Sequence, residues 1–143
     1  MTGSSAAGTL LTRSRNRKLA LMEKILVIDD DVLVRDTIVR ILERKGYQVL
    51  VAGDGARGLR IFRSERPDLV ITDIIMPEKE GLETIREIRG ESPDAKIIAI
   101  SGGARIGNMD FLDVAGKLGA SEIIPKPFDP AELVNVVSRC LDG

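Results

Sequence analysis

From Glu23 onward, short apolar runs alternate five times with stretches whose apolar residues recur at helical spacing. The run Lys24–Ile28 is continuous and apolar, the pattern of a parallel strand covered on both faces. A helix is expected over about Val32–Lys45, with Val34, Ile38, Ile41 and Leu42 on one face and Gly46 as its stop. Tyr47–Ala52 reads as the second strand, and Ala56–Ser64 as a helix that brings Leu59 and Phe62 together. Pro67 opens a third strand, Asp68–Thr72, at a position where proline is tolerated.

Leu82, Ile85 and Ile88 recur every three residues in a helix over about Gly81–Arg89, with Glu83, Arg86 and Glu87 outward. Lys96–Ile100 is the expected fourth strand, Asp110–Leu118 the fourth helix and Glu122–Ile124 the short fifth strand. The last helix carries its own start signal: Asp129 as N-cap, Pro130 at the first helical position and Glu132 three residues after the cap. Its apolar face is Leu133, Val134, Val136, Val137, Cys140 and Leu141. Alternating βα units predict an α/β fold: a five-stranded parallel sheet with helices on both faces, a three-layer (βα)5 sandwich.

Composition narrows the chemistry. Apolar residues make up 43% of the 143 and charged residues 30%, as expected for one wet-surfaced domain with a real core. Aromatics are only 3%, which leaves no stacking platform for single-stranded nucleic acid. Histidine is absent, which excludes Ser-His-Asp triads, Cys-His pairs and ordinary zinc sites. The single cysteine, Cys140, has no internal partner, and no apolar run approaches the length of a membrane span. Both fit a cytoplasmic protein. Residues 1–21 hold Arg13, Arg15, Arg17 and Lys18 without an acid, and read as a flexible basic leader outside the fold at 22–143. Taking those four from the 21 basic residues leaves 17 against 22 acidic ones, so the folded part is acidic.

Ligands of open parallel sheets bind at the carboxyl ends of the strands. Asp29, Asp30 and Asp31 follow the first strand, Asp73 the third, Ser101 the fourth and Lys126-Pro127 the fifth. Gathered at one edge, the carboxylates repel: a like-charged pair ~4 Å apart costs ~1 kcal/mol in water and ~4 at an effective dielectric of 20. A hard divalent cation relieves this, and Mg²⁺ favours a few carboxylates together with phosphate oxygens. An acid edge with one ammonium and one hydroxyl is suited to receive a phosphoryl group on an Asp oxygen.

Four motifs, ILVIDDD, DIIMPEKEG, IIAIS and KPF, stand in order at the strand ends. With them, residues 23–142 resemble the CheY-like receiver domain of two-component response regulators. The resemblance implies strand order 2-1-3-4-5 and Asp73 as phospho-acceptor. It implies Asp30, Asp73 and the backbone carbonyl of Ile75 as direct Mg²⁺ ligands, with Asp29 acting through a metal-bound water. Ser101 and Lys126 become the phosphoryl-binding switch pair, and a cis peptide is implied before Pro127. Asp31 is better suited to cap the first helix.

The partners so implied are a sensor histidine kinase or phosphotransfer protein and a downstream protein target. Direct nucleic-acid binding and membrane insertion are not expected, and the assembly state is monomer or weak dimer. Such a chain is a phospho-acceptor rather than an enzyme, though able to catalyse its own phosphorylation and dephosphorylation. The expectation is a single-domain regulator, with signalling through phosphorylation-dependent protein binding or onward phosphotransfer.

Three departures from the family pattern bear on switching. Ile123 stands where the family usually has an aromatic, Pro125 stiffens the strand end, and SGGARIGNMD makes the segment after Ser101 long and glycine-rich through Gly102, Gly103 and Gly107. Switching by ordering this segment, rather than by swinging an aromatic, is the expectation. Other readings compete. Gly53, Gly55 and Gly58 form a literal G-x-G-x-x-G between strand and helix, with Asp73 about 20 residues on, as in a dinucleotide-binding protein. That motif follows the second strand rather than the first and leaves the acid edge without a role. A haloacid-dehalogenase-type hydrolase would want a second Asp where Ile75 stands. The third alternative is a receiver-fold binding module that works without phosphorylation.

Overall fold

The computed structural model describes residues 22–74, 80–101, 105–106, 109–110, 117 and 119–143. The leader, Ile75, Met76, Pro77, Gly102, Gly103 and Gly107 lie outside them. In chain order the elements are β1 (Lys24–Ile28), α1 (Val32–Arg44), β2 (Gln48–Ala52), α2 (Gly55–Glu65), β3 (Leu69–Asp73), α3 (Glu80–Glu91) and β4 (Ile97–Ser101). Two short strands follow, β5 (Arg105–Ile106) and β6 (Met109–Asp110), then β7 (Glu122–Pro125) and α4 (Pro130–Asp142).

The main sheet is ordered β2-β1-β3-β4-β7, with every pairing parallel. Its period of two sorts the apolar residues between its faces. Leu26, Ile28, Val70, Ile97 and Ala99 pack with Leu59 and Phe62 of α2 and with Leu82, Ile85 and Ile88 of α3. Ile25, Val27, Leu69, Ile71, Ile98, Ile100 and Ile124 pack on the other side with α1 (Ile38, Leu42) and α4 (Leu133, Val136, Val137, Cys140). Both faces are covered, so the strands can be apolar throughout: β1 after Lys24 and all of β3 and β4 are buried.

Side-chain caps set three helix starts. Asp31 Oδ1 accepts from the backbone N–H groups of Leu33 and Val34 at 2.9 and 3.3 Å. Asp54 Oδ1 accepts from Arg57 N–H at 2.7 Å, and Asp129 Oδ1 from Glu132 N–H at 2.7 Å. Gly46, at φ +92°, turns the chain out of α1 in the left-handed region that favours glycine.

One expected element begins differently. The fourth helix was expected from Asp110, but Asp110 belongs to β6, which pairs antiparallel with β5 in a separate two-stranded sheet. Gly107 and Asn108, the two residues between these strands, are of the types that favour a two-residue hairpin connection. Of the remainder of that helix, only Lys117 is among the described residues, and it is helical. Part of the segment after Ser101 is therefore a paired ribbon rather than an unpatterned glycine-rich connection.

Candidate phospho-acceptor site

The carboxyl ends of β1, β3, β4 and β7 deliver the site. Asp73 is the last residue of β3 and is 5% exposed, in register with Ile100. Asp29 directly follows β1 and is 1% exposed, while its neighbour Asp30 is exposed. One carboxylate oxygen from each of Asp29, Asp30 and Asp73 lies within 4.8 Å of the other two. Acids 43 and 44 positions apart in the chain thus meet at one point.

Lys126 enters from the other side. Its backbone N–H donates to the Ser101 carbonyl at 2.7 Å, which carries the β4–β7 pairing one residue past the strand, and the Lys126–Pro127 peptide is cis. Its ammonium Nζ lies 3.1 Å from Asp73 Oδ2 and 3.5 Å from Asp29 Oδ2, bridging both buried acids. Ser101, the last residue of β4, is fully buried at the same edge, in register with Pro125. Ile123 is partly buried and packs on the α2–α3 side of the sheet.

Charge is poorly solvated here, and the titration of the groups reflects it. Burial pushes the Asp29 carboxyl above its ordinary range and the Asp73 charge adds to this, against the Asp31 N–H bond and Lys126. Burial also works against the Lys126 ammonium, but the hydrogen bond and charge of Asp73, then Asp29, outweigh it and raise its pKa. Lys126 thus stays charged at neutral pH, and its ammonium pairs with two of the three clustered acids. An all-oxygen cluster with surplus negative charge suits a hard divalent cation, and the exposed Asp30 gives it an open side.

A family model for the response regulator receiver domain matches residues 25–138. The chain belongs to this family. Among curated proteins, the response regulator MprA of Mycobacterium tuberculosis is 38% identical over 112 residues, 78% of this chain but 47% of MprA. The DNA-binding transcriptional regulator NtrC of Azospirillum brasilense is 38% identical over 119 residues, 83% of this chain and 24% of NtrC. The receiver domain therefore spans about half, or less, of the length of these relatives. A CheY-like receiver domain protein from Methanospirillum hungatei superposes with a TM-score of 0.77 at 31% identity, covering 85% of this chain and 94% of that one. The receiver domain of NtrX from Brucella abortus gives 0.76 at 33% identity, covering 82% and 98%.

The rival glycine motif finds structural work in this receiver domain. Asp54 occupies the N-terminus of α2, where a pyrophosphate would sit, and a Cβ on Gly58 would lie 2.4 Å from Ile28 Cδ1. Gly58 therefore lets α2 close on β1. β2, which the motif follows, is an edge strand, away from the β1–β3 reversal where such ligands bind. One residue at the site escaped the reading of the sequence. Arg35 of α1 donates from Nη1 to the backbone carbonyl of Asp29 at 3.2 Å. Its position among the polar residues of a helix face gave no signal, since the contact depends on how α1 lies across the strand ends.

Proposed function

We propose that Asp73 accepts a phosphoryl group from a phosphohistidine on a sensor kinase or phosphotransfer protein, in a Mg²⁺-dependent reaction. The observation that carries this reading is the meeting of Asp73 with Asp29, Asp30 and Lys126 at one sheet edge. An Asp73 oxygen forms the new O–P bond in line as the P–N bond to the donor imidazole breaks, and the imidazole keeps the electron pair and takes up a proton. Mg²⁺ supplies charge neutralisation for the carboxylates and the transferring phosphoryl oxygens. Asp30 and Asp73 are its direct protein ligands in this reading, with the Ile75 carbonyl carried over from the family and Asp29 acting through a water.

Lys126 then exchanges one anionic partner for another. Before transfer it neutralises the Asp73 and Asp29 carboxylates; afterwards it pairs with the phosphoryl oxygens, as the site gains about −1.5 to −2 charges of phosphate. The Ser101 hydroxyl donates to the same group, and Ile123 takes the place of the aromatic that commonly follows it. Signalling proceeds through phosphorylation-dependent protein binding or onward phosphotransfer. An apolar groove of about 500 Å³ runs beside the site between Leu33, Val34, Thr37 and Ile41 of α1 and Pro127, Phe128 and Pro130, with Lys126 on its wall. It shares that lysine with the acid cluster, so a protein carrying the phosphohistidine would rest there with its donor beside Asp73.

Incubation with acetyl phosphate and Mg²⁺, followed by intact mass measurement, tests the reading. The wild type should gain one phosphoryl adduct, and Asp73→Ala none. An adduct of equal yield in Asp73→Ala would remove Asp73 from the acceptor role.

A further inference from the structure

Gly53, the first glycine of the GDGARG stretch, is explained by neither a cap nor helix packing. A Cβ on Gly53 would sit 3.1 Å from Nη1 of Arg35, tighter than such contacts usually are. The same Nη1 holds the Asp29 carbonyl at 3.2 Å. The Arg35 Nε is buried and has no hydrogen-bond partner among the described residues. Leaving a guanidinium N–H dry and unpaired is unfavourable, so solvation does not drive this pose. The Asp29 carbonyl and the room at Gly53 define it.

The carbonyl that Arg35 holds belongs to the first residue of the acid turn. The carboxylate of that residue accepts from the Asp31 N–H at 2.9 Å and faces Lys126, and the next residue is Asp30. We propose that Arg35 is a positioning residue for the divalent-cation site, and that Gly53 is small to admit it. By holding the Asp29 carbonyl, Arg35 fixes the turn from which the Asp29 and Asp30 carboxylates approach Asp73. This rests on the Mg²⁺ reading above and names a part of the site outside the acid, hydroxyl and lysine set.

Charge and bracing act in opposite directions. Removing a cation beside the acid turn strengthens the attraction of its carboxylates for Mg²⁺, whereas removing a brace weakens it. Titration of the full chain with Mg²⁺ in a calorimeter, without phosphodonor, reads the sign. Arg35→Gln should bind Mg²⁺ about ten-fold more weakly, as loss of an orienting partner does at metal sites. Arg35→Lys, which keeps the charge and a donor, should recover part of the affinity. Gly53→Ala should weaken binding by a smaller factor, about two-fold, and should add nothing in the Arg35→Gln background if both act through one contact.

Equal or tighter binding by Arg35→Gln, with the wild type binding, overturns the brace and leaves the cation site standing. Should Arg35→Gln not fold, wild-type affinity in both Arg35→Lys and Gly53→Ala overturns it equally. No Mg²⁺ binding by the wild type overturns the brace together with the Mg²⁺ reading.

Discussion

Asp29 and Asp30 are adjacent in sequence and identical in chemistry, yet one is buried and the other exposed. The consequence is a buried carboxyl whose pKa is raised, first by burial and then by Asp73. Such a group destabilises the fold when ionised: its full contribution is present below the unfolded value of about 3.9 and is lost as pH rises through the folded pKa. Asp29→Asn should therefore raise the metal-free melting temperature near neutral pH, and the gain should vanish on acidification below about pH 4. The amide oxygen can still accept from the Asp31 N–H, and Lys126 keeps Asp73, so little else is lost. Thermal unfolding in EDTA across this pH range checks it. A lower melting point at neutral pH would mean that pairing with Lys126 outweighs burial. Sequence identified both acids by type and position. It could not rank their exposure, because burial depends on the strands and helices closing around them.

Among the elements, α3 offers a controlled comparison. Its buried face, Leu82, Ile85 and Ile88, follows from spacing alone, and the observed helix extends the expected one by a residue or two at each end. Its two glycines look alike in sequence and differ in structure. A Cβ on Gly81 would lie 2.1 Å from the Asp73 carbonyl oxygen and 2.6 Å from Ile74 Cα, both backbone atoms that cannot yield without moving β3. Gly90 has nothing within 4 Å. Gly81→Ala should thus destabilise by about 1–3 kcal/mol or more, as overpacking does, and disturb the end of β3 that carries Asp73. Gly90→Ala should stabilise by up to about 1 kcal/mol through helix propensity. Chemical denaturation of the two variants measures both; an unchanged or stabilised Gly81→Ala would contradict the close approach of α3 to β3. The caps at Asp31 and Asp129 were legible because a cap is a local bond to residues two or three positions on. The β5–β6 ribbon is not legible from glycine content alone, which reads as looseness, although Gly-Asn between Ile106 and Met109 is also a turn signal.

At the scale of the molecule, the site stores repulsion that a cation can relieve. Mg²⁺ should raise the melting temperature, by about 2.7 kcal/mol of stabilisation at a hundred times its dissociation constant, a shift on the order of 10 °C. Differential scanning calorimetry of wild type and Asp30→Asn checks this, and an equal shift in both would remove Asp30 from the ligand set. No helix among the described residues is long and apolar enough to cross a membrane. By itself the sequence determined the alternation of strand and helix, the caps, the apolar faces and the residue types at each strand end. All of these depend on a period or on bonds within a few residues. The strand order that the resemblance implies is the one observed. The burial of Asp29 beside an exposed Asp30, the reach of Lys126 to both buried acids and the seat of Arg35 over Gly53 were decided only by tertiary structure. Their partners lie up to 97 positions apart, and only the packing of helices on both faces of the sheet fixes how such distant groups approach.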